Sequence, residues 1–470
     1  MTLDHRRTPL IEAIERHRSR EPVSFHVPGH KNGLLAGSQL YEYDLTELTG
    51  LDDLHDPGEA IAEAEELLRD VYGSLKSYFL VNGSTVGNMA ALLASCSQGD
   101  VVFVQRNCHK SVLNGIRLAK AVPVFIETEF NEEGSALGIR LDGVKEALKA
   151  YPHVKACVLT FPTYYGFTYH IGEIIEELHK EDVLCIVDEA HGAHLAVGSP
   201  FPRSSMEVGA DIVVHSAHKM LPAMTMGSYL HINSPRVNER RVSDYLSMLQ
   251  SSSPSYPIMA SLDGARSYIG TFTKEDLNEN LKEVSRFVQV IEGIHPQLKV
   301  KRPNDPLKLL LKLEGRTGYD LQRLLESEGI YPELADPGQV LLILPLVKKG
   351  HSFPYDEALE RIRRAVGNED MLDVILPDEI KYDSREALFS TLALSFEEMD
   401  GREEVLVSVE EAEGKISAGM VIPYPPGIPI LVPGERITPG ALKRLQIYVD
   451  NHASIQGHHR LGENGLYVYR

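Results

Sequence analysis

Seven short apolar runs, separated by stretches of helical period, fill the chain from about Leu75 to Ile232: SYFLV, VVFVQ, VPVFIE, VKACVLTF, VLCIVD, DIVVHS and GSYLHI. A strand with one face in water alternates polar and apolar residues, whereas these runs are apolar almost throughout, so each needs cover on both faces. That requirement leaves little choice of architecture. The expected fold is α/β, a mainly parallel central sheet sandwiched by helices, and in such a sheet chemistry gathers in the loops beyond the strand ends.

Around this block the chain divides into further pieces. Residues 1–74 form an N-terminal segment with a helical start, a Gly/His-rich turn FHVPGHKNG at 25–33 and a helix around EAIAEAEELLRDVYG. The large α/β domain is expected over 75–294, its last part helical from about Ser234 to Ile294. A smaller α/β domain is expected over 295–369, with strands near KLLLKL and VLLILPL and helices near Tyr319 and Tyr355, and a C-terminal domain over 370–470 containing PYPPGIPILVPGE at 423–435. The formal charge of -20, from 47 basic and 67 acidic residues, argues against a nucleic-acid partner or an anionic-membrane surface, both of which are held by clustered Lys and Arg. Four cysteines without a CxxC pair suit a reducing compartment. Neither an N-terminal signal pattern nor a stretch of the roughly 20 apolar residues that a membrane span needs is found, so a cytoplasmic location is expected.

The run VLCIVD continues into IVDEAHGAH (186–194), which admits three chemistries. DEAH is also the Walker B string of a helicase motor, but that motor needs G-x-x-x-x-G-K-[ST], and the one Gly-Lys pair here, Gly414-Lys415, is followed by isoleucine. A metal site asks Asp188, Glu189, His191 and His194 to converge, and Gly192 directly after a strand disfavours the helix on which ligands three apart meet. The third chemistry depends on two other strand ends. In FLVNGSTVGNMAALLA a strand stops at Asn82-Gly83, and Ser84 and Thr85 open an apolar-periodic helix whose N-H groups and dipole suit a phosphate. In DIVVHSAHKMLPAMTMGS a strand ends at His215, and Lys219 lies between it and an apolar run, where partial desolvation favours the neutral amine that forms a Schiff base. His109, in VVFVQRNCHKS, falls in a loop past another strand. Each feature alone has an ordinary reading: helix cap, surface histidine, solvated lysine. Their order along the chain, phosphate cradle, loop histidine, strand-end acid Asp188, strand-end lysine Lys219, is the arrangement that pyridoxal 5'-phosphate needs.

The strings FHVPGHKNG, DLTELTGLDDLH, VNGSTVGN, QRNCHKS, FPTYYG, VDEAHGAH, SAHK, SSSPSYPIMASLD and PYPPGIPILVPGE span almost the whole chain. Together they resemble the Orn/Lys/Arg decarboxylase family, pyridoxal-phosphate-dependent enzymes of the aminotransferase-like fold type I, in its short bacterial form and nearest its Bacillus-type members. The resemblance implies Lys219 as the Schiff-base lysine, Asp188 as partner of the pyridine nitrogen, His109 stacked on the cofactor ring, and Ala190 and His191 near the ring or substrate. It implies Ser84, Thr85, Ser216 and His218 around the phosphate, with Ser251 or Ser252 of SSSPSY reaching it from a neighbouring subunit of a homodimer. The implied reaction is decarboxylation of a basic L-amino acid (arginine, lysine or ornithine), with a place in making amines and polyamines. The same cofactor-holding set would serve an aminotransferase or a lyase, and a catalytically idle amine-binding regulator is a further alternative. One departure stands out: where many relatives read G-R-I-x-A-E, this chain reads Gly414-Lys415-Ile416-Ser417-Ala418-Gly419. If the relatives' glutamate holds a cationic substrate, the preference for a basic amino acid is in question; if it is structural, it is dispensable here.

Overall fold

The computed structural model describes residues 3–28, 30–34, 39–367, 387–424 and 427–470. The boundary expected at 369/370 lies outside the described residues, as do Gly29, Pro425 and Pro426 of two of the strings above.

Ahead of the sheet come helices α1 (Pro9–Arg18) and α2 (Ala60–Tyr72). Strand β1 (Lys76–Leu80) leads into α3 (Gly83–Ser95), β2 (Val101–Gln105) into α4 (Lys110–Ala119), and β3 (Val122–Ile126) into a hairpin of β4 (Thr128–Phe130) and β5 (Ala136–Ile139). After α5 (Leu141–Ala150) come β6 (Ala156–Thr160), α6 (Ile171–Lys180), β7 (Leu184–Asp188), β8 (Ile212–His215), a single turn α7 (Ala217–Met220) and β9 (Ser228–Ile232). All seven apolar runs are thus strands. They join in the order β1-β9-β8-β7-β6-β2-β3. From β8 to β3 the neighbours are parallel, while β9 runs antiparallel to both β8 and β1.

The double-sided cover that the composition demands is present. Successive strand residues alternate between two cores: Val102, Val104 and Ile186 pack with the α3, α4 and α8 (Glu239–Leu249) side, while Phe103, Cys185 and Val187 pack with the α5 and α6 side. Burying both faces removes the polar half of the strand pattern, which is why these runs read as continuous apolarity. Two longer helices, α9 (Tyr256–Gly270) and α10 (Lys274–Glu292), lead to a four-stranded antiparallel sheet of β10 (Leu298–Lys301), β11 (Lys308–Leu313), β12 (Leu334–Ala335) and β13 (Val340–Ile343). Helix α11 (Gly318–Ser327) packs on it, and α12 (Tyr355–Gly367) packs against α10 and α11. Beyond it, β14 (Phe389–Thr391) returns to the large sheet and pairs with β3, Phe389 opposite Ile126. The remaining described residues build smaller sheets and two further helices, Phe396–Met399 and Pro439–Asp450. Among the described residues no helix is long and apolar enough to cross a membrane.

Candidate active site

The acidic, histidine-rich stretch after β7 sends its side chains to separate places. Asp188, the last residue of β7, is 4% exposed, and its carboxylate accepts hydrogen bonds from Asn88 Nδ2 (2.9 Å) and the Ala190 N-H (3.2 Å). Glu189 turns to the other side of the strand, where it accepts from Ser204 Oγ (2.7 Å) and the Ser205 N-H (2.7 Å) and meets His215 Nε2 (3.1 Å). His194, fully buried, lies 3.1 Å from Asp305. Only Asp188 and His191 of the four reach a common cleft, so the convergence that a metal would need does not form.

That cleft, about 610 Å³ of empty space with its open mouth included, is lined by Ser84, His109, Asp188, Ala190, His191 and Lys219, together with Asn107, Tyr164, Tyr165 and Gly427-Ile428. It lies beyond the ends of β2, β6, β7 and β8, where a doubly covered parallel sheet opens. A continuous polar line ties its parts together. Asn88 on α3 also donates to Ser111 Oγ (3.0 Å), and Ser111 meets His109 Nδ1 through its hydroxyl (2.9 Å) and its N-H (3.3 Å). Because a backbone N-H can only donate, His109 Nδ1 is the acceptor and its hydrogen sits on Nε2, in the cleft. Burial lowers the His109 pKa below its ordinary value, so the ring is neutral.

Lys219 sits on the turn α7, its Nζ 3.1 Å from His191 Nε2 and 5.5 Å from the centre of the Tyr164 ring. Burial lowers its pKa from the ordinary lysine value, and the carboxylates of Asp188 and Glu333 oppose that shift. Ser84 accepts a hydrogen bond from Ser216 Oγ (2.7 Å) at the start of α3, where Asn82 supplies no capping side chain. Thr85 is exposed one residue further on, and His218 turns away to bond the Gly227 carbonyl (3.0 Å). Ser251 and Ser252 are exposed and do not line this cleft.

The donor set suits pyridoxal phosphate. A buried carboxylate held only by neutral donors keeps lone pairs for a charged N-H, which a protonated pyridine ring would supply. The uncapped start of a long helix, flanked by two hydroxyls, suits a dianionic group.

Several groups at the site had no obvious sequence signal. Lys308, first residue of β11, is 1% exposed, and its Nζ lies 2.9 Å from His191 Nδ1. Room for it comes from Gly166 at φ +88°, where a Cβ would approach the Lys308 Cγ to 2.6 Å. Tyr164 stacks tilted on His191, ring centres 4.3 Å apart, and donates its hydroxyl to Glu333 (2.6 Å). Arg106, just past β2, donates to the carbonyls of Pro429 (2.9 Å) and Ile430 (3.0 Å) and pairs with Glu435 (2.9 Å), which fastens the 427–435 loop over the cleft. Gly419 is explained by packing: a Cβ there would lie 1.9 Å from the His458 carbonyl oxygen, so this backbone admits no side chain at that position.

Comparisons with known proteins fit this geometry. A family model described as "Orn/Lys/Arg decarboxylase, major domain" matches residues 8–309, and one described as "Orn/Lys/Arg decarboxylase, C-terminal domain" matches 381–458. The chain is 44% identical to the protein YaaO of Bacillus subtilis (strain 168), covering 98% of each, and 34% identical to an arginine decarboxylase of the same organism, covering 96% of this chain and 95% of that one. Among solved structures it resembles the Francisella novicida lysine decarboxylase LdcF, with a TM-score of 0.81 at 20% identity over 98% of this chain and 81% of the other. The fold is type I of the pyridoxal-phosphate enzymes.

Proposed function

Since the chain belongs to the Orn/Lys/Arg decarboxylase family, we propose that it decarboxylates a basic L-amino acid (arginine, lysine or ornithine) to the amine and CO2, with pyridoxal 5'-phosphate as cofactor. The observation that carries this reading is the convergence of Lys219, Asp188, His109 and Ser84, from four different strand ends, on one cleft. When bound, the cofactor supplies the sink for the electron pair left at the substrate's α-carbon as the carboxylate departs.

The chain's own groups divide the remaining work. Lys219 is the amine that would hold the cofactor through its aldehyde, and burial favours its nucleophilic neutral form. Asp188, oriented by two hydrogen bonds, would pair with the ring nitrogen and favour its protonated form. Neutral His109 would stack on the ring, its orientation fixed by the line from Asp188 through Asn88 and Ser111. Ser84, oriented by Ser216, and Thr85 bind the phosphate at the start of α3, and His218 braces the turn that carries Lys219. Ser252 would complete the phosphate site from a second copy, which makes the working form a homodimer. Four free, buried thiols suit a reducing cytoplasm.

For the substrate's distal cation we assign Glu333. Tyr164 holds this exposed carboxylate beside the cleft, and its charge acts on Lys219, Lys308 and His218. Gly419, whose backbone has no room for a side chain, supplies no acid for that task.

The test is CO2 release from arginine, lysine and ornithine by the purified chain supplied with pyridoxal phosphate, with the amine identified. Release from one of the three fixes reaction and substrate together. No release from any of them, in protein whose absorbance shows bound cofactor, rejects the reading.

A further inference from the structure

His191 carries a lysine on each ring nitrogen: Lys219 Nζ at 3.1 Å from Nε2 and Lys308 Nζ at 2.9 Å from Nδ1. A neutral imidazole has one N-H and one lone pair, and an ammonium can only donate. With a neutral ring, the lysine facing the ring N-H must therefore be a free amine while the other donates to the lone pair. With an imidazolium, both lysines must be free amines. In every arrangement that satisfies both hydrogen bonds, the three groups carry at most one positive charge between them.

We propose that Lys308 is a positioning residue of the reaction: it competes with Lys219, across His191, for that one proton, and so sets the pH at which Lys219 becomes the free amine. The inference rests on the reading of Lys219 as the cofactor-binding amine.

The surroundings are those of a shared proton. Asp188 and Glu333 face Lys219, Asp305 and Glu333 face Lys308, and His194 and His218 lie near His191. Carboxylates thus stand at both ends of the line and none at its centre. Burial pulls Lys308 down to about 8 and holds His191 well below its ordinary value, which leaves the proton to the two lysines near neutral pH. Lys308 has no route to solvent of its own: it is 1% exposed, and its stem packs against Gly166. It also lies too deep to serve as an ordinary surface cation, and an apolar residue would fill the same space more cheaply.

The experiment is competitive labelling of the full-length chain, freed of cofactor, with an amine-reactive anhydride across pH, read by mass spectrometry on the Lys219 peptide. Lys308→Met removes the competitor, and the Lys219 midpoint should rise by about one pH unit or more. Lys308→Arg keeps a permanent cation on Nδ1, and the midpoint should stay at or below that of the unaltered chain. Equal midpoints in all three proteins overturn the proposal, because a space-filling Lys308 would not move them. Should the variants fail to fold, nitrogen-15 spectra of His191 in the unaltered chain decide: a neutral ring at pH 7 is expected, and an imidazolium overturns the proposal, since both lysines would then be free amines whatever residue 308 does. Absence of cofactor binding or of CO2 release would remove the decarboxylase reading and leave these midpoints untouched, so the two failures are distinguishable.

Discussion

Lys219 and Glu333 allow separate tests of the two ends of the substrate. Lys219→Ala should abolish both the bound-cofactor absorbance and turnover, and retention of either excludes it as the cofactor-binding amine. Glu333→Gln should act on binding alone: KM for a cationic substrate rises by about tenfold while kcat changes little, as expected for an exposed carboxylate that holds the ground state and transition state equally. Steady-state kinetics on the substrate found by CO2 release checks this, and an unchanged KM removes the assignment. The residues that the sequence reading could find were those at ends of apolar runs, because there a polar side chain interrupts an obvious pattern; Asp188, Lys219, His109 and Ser84 all stand so. Lys308 escaped for the opposite reason. It heads the apolar run KLLLKL, where a lysine reads as the solvent end of a strand, and its burial depends on His191 and Gly166, far away in the chain. Tyr164 lies inside the string FPTYYG, but an aromatic two residues after a proline carries no signal of its own.

Two elements hold buried groups whose consequences are measurable. Glu65, on α2, is 2% exposed and accepts the Phe79 N-H of β1 at 3.0 Å. Burial raises its pKa from 4.5 to about 7. Between those two values the folded chain binds a proton that the unfolded chain has lost, so this contribution to stability is full below pH 4.5 and is lost as pH rises through about 7. The difference amounts to about 3 kcal/mol. Glu65→Gln, which keeps an acceptor for Phe79, should therefore melt above the unaltered chain at pH 8, with the gap closing at pH 5; a gap independent of pH contradicts it. The second element is the crossing of the segments at Gly419 and His458. Gly419→Ala forces the two backbones apart, and chemical denaturation should show a loss of roughly 2 kcal/mol or more. Sequence alone marked Gly419 as unusual, yet its reason lies in a carbonyl contributed by a distant segment.

At the level of the molecule, the pieces that a linear reading separates share a sheet and a cleft. Gly427 and Ile428 of the C-terminal region line the same cleft as Lys219, and Arg106 fastens their loop to the end of β2. Arg106→Ala should lower kcat/KM while leaving the large sheet intact by circular dichroism, since it frees the loop without touching the cofactor's own contacts. The seven central strands were legible because burial on both faces leaves an unmistakable apolar pattern. β14 was not, because its three residues carry no local pattern and owe their place to pairing with β3. That pairing also covers an edge of the large sheet. Without Phe389–Thr391 the outer backbone of β3 would stand open from Val124 to Ile126, a ready template for another chain. A protein ended at Gly367 should keep every cofactor contact proposed for the large sheet and yet scatter light within hours of purification, so the last fifth of this chain guards against aggregation as much as it serves the reaction.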